Sequence, residues 1–148
     1  MRKQTGFTLV ELMVVIAILG ILAVTAVPFY QIWTQRAYGA QATNLARQLV
    51  DAQIMNYLKD NSFIPNETEG PINIFRDSDP SSAEVRRVTE GLNVFLPLGG
   101  NFDYSFWNDP DPKGKCVRMM IRADFPLFKN GQQYIIVTVF SDGRFEYS

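Results

Sequence analysis

A run of 24 residues near the N-terminus, from Phe7 to Tyr30, contains a single charged side chain, Glu11. As an α-helix this run would be about 36 Å long, enough to cross the roughly 30 Å hydrocarbon core of a bilayer. Tyr30 and Trp33 lie where aromatic side chains favour the membrane–water interface. The run therefore predicts a membrane-spanning helix, and it leaves the remainder of the chain to form a folded domain.

This N-terminal run has three possible interpretations. A cleaved secretory signal is disfavoured, because the run is too long and lacks a small-x-small cleavage site at its far end. A plain transmembrane helix fits, and Arg2 and Lys3 would then keep the N-terminus in the cytoplasm with the chain after Trp33 outside. The third interpretation is cleavage before the run, which would leave the helix on the mature protein.

The rest of the composition excludes several classes of function. The 148 residues include 14 basic and 15 acidic side chains without a basic tract, so nucleic acid is not indicated as a partner. Histidine, the commonest general base and metal ligand, is absent. Cys116 is the only cysteine, which excludes an intrachain disulfide and a zinc cluster. We expect no catalytic residue, no cofactor and no enzymatic activity.

The residues at the start of the run form a specific motif. The stretch Gly6-Phe7-Thr8-Leu9-Val10-Glu11 follows a short basic leader and continues into an apolar stretch with Gly20 and Pro28. From residue 1 to about residue 58 the chain resembles type IV prepilins and pseudopilins. The resemblance implies that a prepilin peptidase cuts between Gly6 and Phe7, and that the new amine of Phe7 is methylated. It also implies a homo-oligomeric helical filament, built by the pilus assembly machinery of the inner membrane.

The chemistry of Glu11 supports a role in such a filament. A carboxylate in apolar surroundings persists only when it is paired, because desolvation otherwise favours its neutral form. Glu11 of one subunit could meet the amine of Phe7 of a neighbour, and so set the axial register of otherwise featureless helices. Alternatively, the helix begins in the headgroup region and Glu11 is a solvated acid favoured by the helix dipole.

Gly20 and Pro28 weaken the helix in which they lie. Pro28 removes one amide donor and clashes with the preceding turn, and Gly20 costs about 1 kcal/mol relative to Ala. The resemblance to pilins implies that the segment between these residues can unwind when subunits pack into a filament. An ordinary bend in a membrane helix fits the same residues.

Beyond Pro28 the helix is predicted to continue to about Lys59 as one rod. Apolar side chains recur there at helical spacing, and Asn61 and Pro65 end the pattern. The rod should pack on a domain through its second half.

The segment from 62 to about 100 is predicted to be mostly connection, and in pilins the corresponding region contacts neighbouring subunits. One short helix is predicted within it, capped by the box from Ser81 to Glu84 and ended by Gly91. Val85 and Val88 would share its buried face.

The last third of the chain is predicted to form an antiparallel sheet. Apolar residues alternate with others from 117 to 122 and from 134 to 140, and 102 to 107 is a further candidate strand. Asp142-Gly143 predicts a two-residue hairpin with positive φ at both turn positions. The predicted fold class is α+β. A long N-terminal helix, hydrophobic in its first half and amphipathic in its second, packs on a small antiparallel β-sheet head.

Two further features of this last third concern calcium binding and the single cysteine. Asp109 and Asp111 are weak calcium candidates, but EF-hand spacing fails at Lys113 and Met120, and Asn and Asp beside Pro favour a turn. Cys116 departs from the family pattern, in which a disulfide often closes this region, and its place in a predicted strand favours burial.

The expected function is a structural subunit of an extracellular type IV pilus filament. Its membrane-anchored precursor would contact lipid before assembly, with its head outside the inner membrane. The alternatives are a pseudopilin of a type II secretion system and a non-polymerising membrane-anchored binding domain. The expected organisation is a cleaved leader over 1–6, a transmembrane and polymerisation helix over 7–30, and a head over 31–148 that includes the amphipathic half of the helix.

Overall fold

A computed structural model describes residues 7–109 and 114–148. Its first element is helix α1, Leu9–Asp60, which is 52 residues long and so measures about 78 Å. The helix ends at Asn61, which adopts the left-handed conformation and donates its N–H to Tyr57 O. The prediction of one rod ending near Lys59 is therefore confirmed, and Pro28 lies inside the rod without ending it.

Five antiparallel strands and a second helix follow α1. The strands are β1 (Ile72–Ile74), β2 (Asp103–Asn108), β3 (Cys116–Arg122), β4 (Tyr134–Phe140) and β5 (Phe145–Tyr147). They form one sheet in the order β1-β2-β3-β4-β5, and helix α2, Ala83–Leu92, connects β1 to β2. Helix α1 packs on β3 and β4, whereas α2 packs on α1 and β1. The predicted α+β class is confirmed.

The core lies between one stripe of α1 and one face of the sheet. The buried residues of α1 are Gly39, Ala42, Leu45, Ala46, Leu49, Val50, Gln53 and Asn56. The sheet contributes Tyr104, Phe106, Val117, Met119, Ile121, Ile135, Val137 and Val139. The alternation predicted for β3 and β4 therefore identified the buried face correctly, since odd-numbered positions from 117 to 121 and from 135 to 139 are all buried.

The prediction for the middle segment was wrong in two respects. Strand β1 lies within the segment that was predicted to be mostly connection. It was not predicted, because three residues are too few to give a periodic signal. Helix α2 is capped by Ser82, whose hydroxyl accepts from Val85 N, whereas the hydroxyl of Ser81 donates to Asp79. The N-cap is therefore one residue later than predicted, and Val85 at the third helical position cannot complete a capping box, which needs Glu or Gln there.

The end of α2 was also predicted two residues too early, at Gly91 instead of Asn93. The helix runs through Gly91 to Leu92, and Asn93 adopts the left-handed conformation that ends it. Val85 and Val88 are buried on its inner face, as predicted.

The hairpin between β4 and β5 has a longer loop than predicted. Gly143 N donates to Phe140 O, and Phe140 N donates to Arg144 O, which encloses three loop residues. In this loop Gly143 alone has a positive φ, of 84°, and this pattern is a type I turn followed by a glycine bulge. A two-residue loop was therefore wrong, although the hairpin itself is present.

Buried amides tie the end of α1 to the chain that follows it. Gln53, which is 0% exposed, donates its Nε2 to Ile64 O at 2.6 Å and accepts from Ile64 N at 3.1 Å. Asn56 donates to Ser62 O at 2.8 Å. The chain after α1 therefore obtains its backbone hydrogen bonds from helix side chains rather than from a neighbouring strand.

An ion-pair cluster lies where β1 ends, β2 begins and β3 ends. Arg76 lies 2.9 Å from Asp103 and 2.7 Å from Asp124, and its backbone N–H also donates to Asp103. The guanidinium hydrogen bonds lower the pKa of Asp103 below its ordinary value. This cluster joins the segment after β1 to the start of β2 and to the loop after β3.

The loop between β3 and β4 approaches α1 very closely at Gly39. A Cβ atom on Gly39 would lie 2.5 Å from Leu127 O, so only glycine allows this approach. Gln35 fixes the same loop by donating its Nε2 to Phe128 O at 2.8 Å. Residues 125–129 therefore lie against α1 just beyond its apolar half.

Candidate assembly site on the N-terminal helix

The apolar half of α1 is not buried by the rest of the described chain. Its residues from Leu9 to Trp33 are all exposed, including Leu19 at 58% and Phe29 at 64%. A window of 18 residues in α1 has a mean hydropathy of 2.7, so α1 is long and apolar enough to cross a membrane. Such a surface must be shielded from water, either by lipid or by other protein chains.

Glu11 lies in the first turn of α1 and caps its own helix. Its Oε2 accepts from Thr8 N at 2.9 Å and from the hydroxyl of Thr8 at 2.8 Å. In return, Glu11 N donates to the Thr8 hydroxyl at 3.2 Å. This reciprocal arrangement is a capping box, which satisfies amides that a helix start otherwise leaves without partners.

The capping box was missed in the sequence, although its signal was present. Thr8 and Glu11 have the Thr-x-x-Glu spacing that defines the box. The box occupies Oε2 alone, and within the described residues no hydrogen bond reaches Oε1. The carboxylate therefore keeps one oxygen for a further partner while it caps its own chain.

Gly20 and Pro28 both lie on the exposed apolar half. A side chain on Gly20 would meet nothing within 4 Å, so no intramolecular packing requires glycine there. Pro28 has no N–H, which leaves the carbonyl one turn earlier, on Val24, without its helical donor. Both residues are thus features of the exposed helix surface rather than of the core.

The other residues singled out in the sequence are Gly6, Phe7, Asp109 and Asp111. Gly6, on one side of the expected cleavage point, and Asp111 lie outside the described residues; Phe7, on the other side, is 79% exposed. Asp109 forms an ion pair with Arg118. Across residues 7–109 and 114–148, no group of three His, Cys, Asp or Glu side chains could hold a metal ion.

The prediction that Cys116 is buried is confirmed. Its side chain is 3% exposed, and its thiol donates to Asp109 O. Strand β3 is held at this end by pairing with Phe140 of β4 rather than by a disulfide.

Comparison with known proteins places these features in a family. Residues 1–27 match the prokaryotic N-terminal methylation motif. A fimbrial protein of Dichelobacter nodosus is 37% identical over 116 residues, which are 78% of this chain and 66% of that protein. The type IV major pilin protein PilE1 of Neisseria gonorrhoeae is 41% identical over 87 residues, 59% of this chain and 50% of that protein.

A fimbrial protein of Neisseria meningitidis is 45% identical over 89 residues, which are 60% of this chain and 52% of that protein. The matched part of the chain thus spans slightly less than two thirds of the length of the relatives from Dichelobacter and about half of those from Neisseria. No solved structure matches the chain significantly. The methylation motif, the exposed apolar helix with its antiparallel head and the similarity to fimbrial proteins agree: the chain belongs to the type IV pilin family.

Proposed function

We propose that the chain is a structural subunit of an extracellular type IV pilus filament, assembled from a membrane-anchored precursor. The observation that carries this proposal is the fully exposed apolar half of α1, with one carboxylate at its start. The names of the relatives, which are fimbrial and major pilin proteins, favour a pilus over a secretion pseudopilus. The role is structural, and we assign no catalytic residue.

The apolar half of α1 suits two successive environments. In the precursor it lies in the bilayer, and in the filament it packs against the same helix of other subunits. Lipid tails and neighbouring apolar side chains are similar surroundings, so the transfer between them needs little change in apolar burial. The pilus assembly machinery of the inner membrane would perform this transfer.

In the proposed filament, Glu11 pairs with the amine of Phe7 on a neighbouring subunit. Its Oε2 is occupied by the capping box, and Oε1 is the oxygen left for this contact. A helix that slides by one turn would leave the carboxylate and the ammonium both unpaired. Glu11 thus sets the axial register of the packed helices.

Filaments sheared from cells at native expression test the proposed function. We expect mass spectrometry of the sheared fraction to identify this chain as a repeating component of extracellular fibres. Recovery of the chain in the envelope alone, with loss of protein secretion on its deletion, would instead indicate a pseudopilin.

Processing is expected to remove residues 1–6. Intact mass and N-terminal sequencing of assembled material should show Phe7 as the first residue, with one added methyl group on its amine. Gly6→Val, which places a branched side chain at the cleavage point, should accumulate as uncut precursor, whereas Gly20→Ala should be cut normally. A wild-type filament subunit that still begins at Met1 would contradict the proposed cleavage.

The division at about residue 30 is proposed because the two halves of α1 have different surroundings. A fragment beginning at Trp33 should be soluble and should unfold cooperatively, since it contains the whole buried stripe of α1. Thermal denaturation followed by near-ultraviolet circular dichroism measures this. A shorter fragment beginning at Asn44 loses Gly39 and Ala42 from the core and should lose the cooperative transition. Aggregation of the Trp33 fragment without such a transition would contradict the proposed division.

A further inference from the structure

A groove lies where the loop between β3 and β4 crosses α1. Its volume is about 560 Å³. We call it the loop groove, and it is lined by Ile32, Gln35, Arg36, Gly39, Ala40 and Thr43 of α1 and by Leu127, Phe128 and Lys129 of the loop. The hydrogen bond from Gln35 to Phe128 O and the close approach at Gly39 fix its walls.

The loop groove begins where the apolar half of α1 ends. Arg36 is six residues beyond Tyr30, which places its Cα about 9 Å past the last residue of the apolar run. The headgroup layer on each side of a bilayer is about 5 to 8 Å thick. Helical side chains lean toward the N-terminus of their helix, and the guanidinium of Arg36 accordingly lies 5.8 Å from the ring centre of Trp33. In the membrane-anchored precursor, this guanidinium therefore reaches the headgroup layer.

The charge of the loop groove is entirely positive. Arg36 and Lys129 are its two charged residues, and both are exposed. Within the described residues neither one makes an ion pair, whereas Arg76, Arg86 and Arg118 each have a carboxylate partner. Two uncompensated cations beside apolar walls are complementary to a phosphate attached to an apolar body.

We propose that the loop groove binds the headgroup of an anionic phospholipid while the subunit is in the membrane. Arg36 and Lys129 contact the phosphate, and Ile32 and Phe128 contact the apolar part next to the glycerol. The apolar helix of a second copy fits less well, because it would remove both cations from water without supplying a counter-charge. This inference rests on the proposed membrane-anchored precursor.

Native mass spectrometry of the full-length chain in detergent tests the lipid preference. The protein is offered equal amounts of phosphatidylglycerol and phosphatidylcholine, and the retained lipids are counted. We expect wild type to retain phosphatidylglycerol preferentially. A basic side chain near an anionic surface strengthens attraction about fivefold, so Arg36→Gln with Lys129→Gln should reduce the preference about 25-fold. Reversing both charges with Glu should make phosphatidylcholine the preferred lipid.

A matched control removes one lysine and one arginine far from the loop groove. Lys59 lies near the far end of α1, and Arg144 follows the end of β4 that is remote from the loop groove. Lys59→Gln with Arg144→Gln should keep the wild-type preference, and near-ultraviolet circular dichroism should show that all variants are folded. If wild type and the variant with Arg36→Gln and Lys129→Gln retained phosphatidylglycerol over phosphatidylcholine to the same extent, the proposal would be overturned.

A photo-crosslinking residue at Ala40 identifies the occupant directly. Ala40 is exposed and lines the loop groove. In vesicles of phosphatidylglycerol and phosphatidylcholine we expect a lipid adduct, and a crosslink to a second copy instead would overturn the proposal. Because these measurements use unassembled chains, absence of filaments in cells would count against the proposed function and not against lipid binding.

Discussion

Glu11→Gln is expected to abolish filaments, or nearly so, while leaving the subunit folded, membrane-inserted and cleaved. Glutamine at the third helical position can also complete a capping box, so this change removes the charge and keeps the hydrogen bonds to Thr8. The ammonium of the neighbouring Phe7 would then be buried without a partner. Removing one member of a buried ion pair costs about 3 to 5 kcal/mol, and every subunit contact in the filament would incur that cost.

The matched control for Glu11→Gln is Thr8→Ala, which breaks the capping box and keeps the carboxylate. We expect filaments from Thr8→Ala cells at close to wild-type abundance, because the loss of one N-cap side chain costs about 1 kcal/mol and acts within the monomer. Immunoblots of membrane and sheared-filament fractions measure both variants. Filaments at wild-type abundance from Glu11→Gln cells, together with their loss from Thr8→Ala cells, would mean that Glu11 acts through capping alone.

Gln53→Leu is expected to destabilise the head strongly, although leucine is apolar and the position is fully buried. Leucine has a similar size, but it cannot bond the N–H and the C=O of Ile64, which Gln53 satisfies from a fully buried position. An unsatisfied buried polar group costs about 1 to 3 kcal/mol, and two are created, so we expect a loss of about 2 to 6 kcal/mol. In a domain of this size the midpoint of thermal unfolding should fall by about 10 °C or more.

Gln48→Leu is the control, because it makes the same chemical change on the same helix at an exposed position. Its effect should stay within about 0.5 kcal/mol, as for most surface substitutions. Thermal unfolding of both full-length variants in detergent, followed by near-ultraviolet circular dichroism, compares them. Equal midpoints for the two variants would show that water replaces the amide of Gln53 at Ile64.

The parts of the fold that were predicted from the sequence are those with a long periodic signal. The buried face of β3 and β4 follows from alternation over seven residues in each strand, and the rod follows from helical spacing over dozens. Strand β1 could not be predicted, because Ile72, Asn73 and Ile74 acquire their pairing from β2, about thirty residues later in the chain. The end of α2 was misplaced because either Gly91 or Asn93 can adopt the left-handed conformation that ends a helix.

The functional sites also include one contact that the sequence could predict and one groove that it could not. Glu11 and Thr8 are three residues apart, so their contact could have been predicted from spacing alone. The loop groove could not, because it depends on Gln35 meeting Phe128, 93 residues away in the chain. The sequence identifies neither which loop crosses α1 nor which cations that loop leaves without a carboxylate.

Helix α1 is continuous through Pro28 in the isolated subunit, and a filament in which it stays continuous, rather than unwinding between Gly20 and Pro28, couples the two ends of the helix rigidly. A continuous helix converts a displacement at one end into an equal displacement at the other, so a slip of one turn at Glu11 would move the head by about 5.4 Å along the helix axis. A shift of that size exceeds the length of any hydrogen bond between neighbouring heads. Spacing on the outer surface of the filament would therefore be determined at its centre, by a contact that no head residue makes.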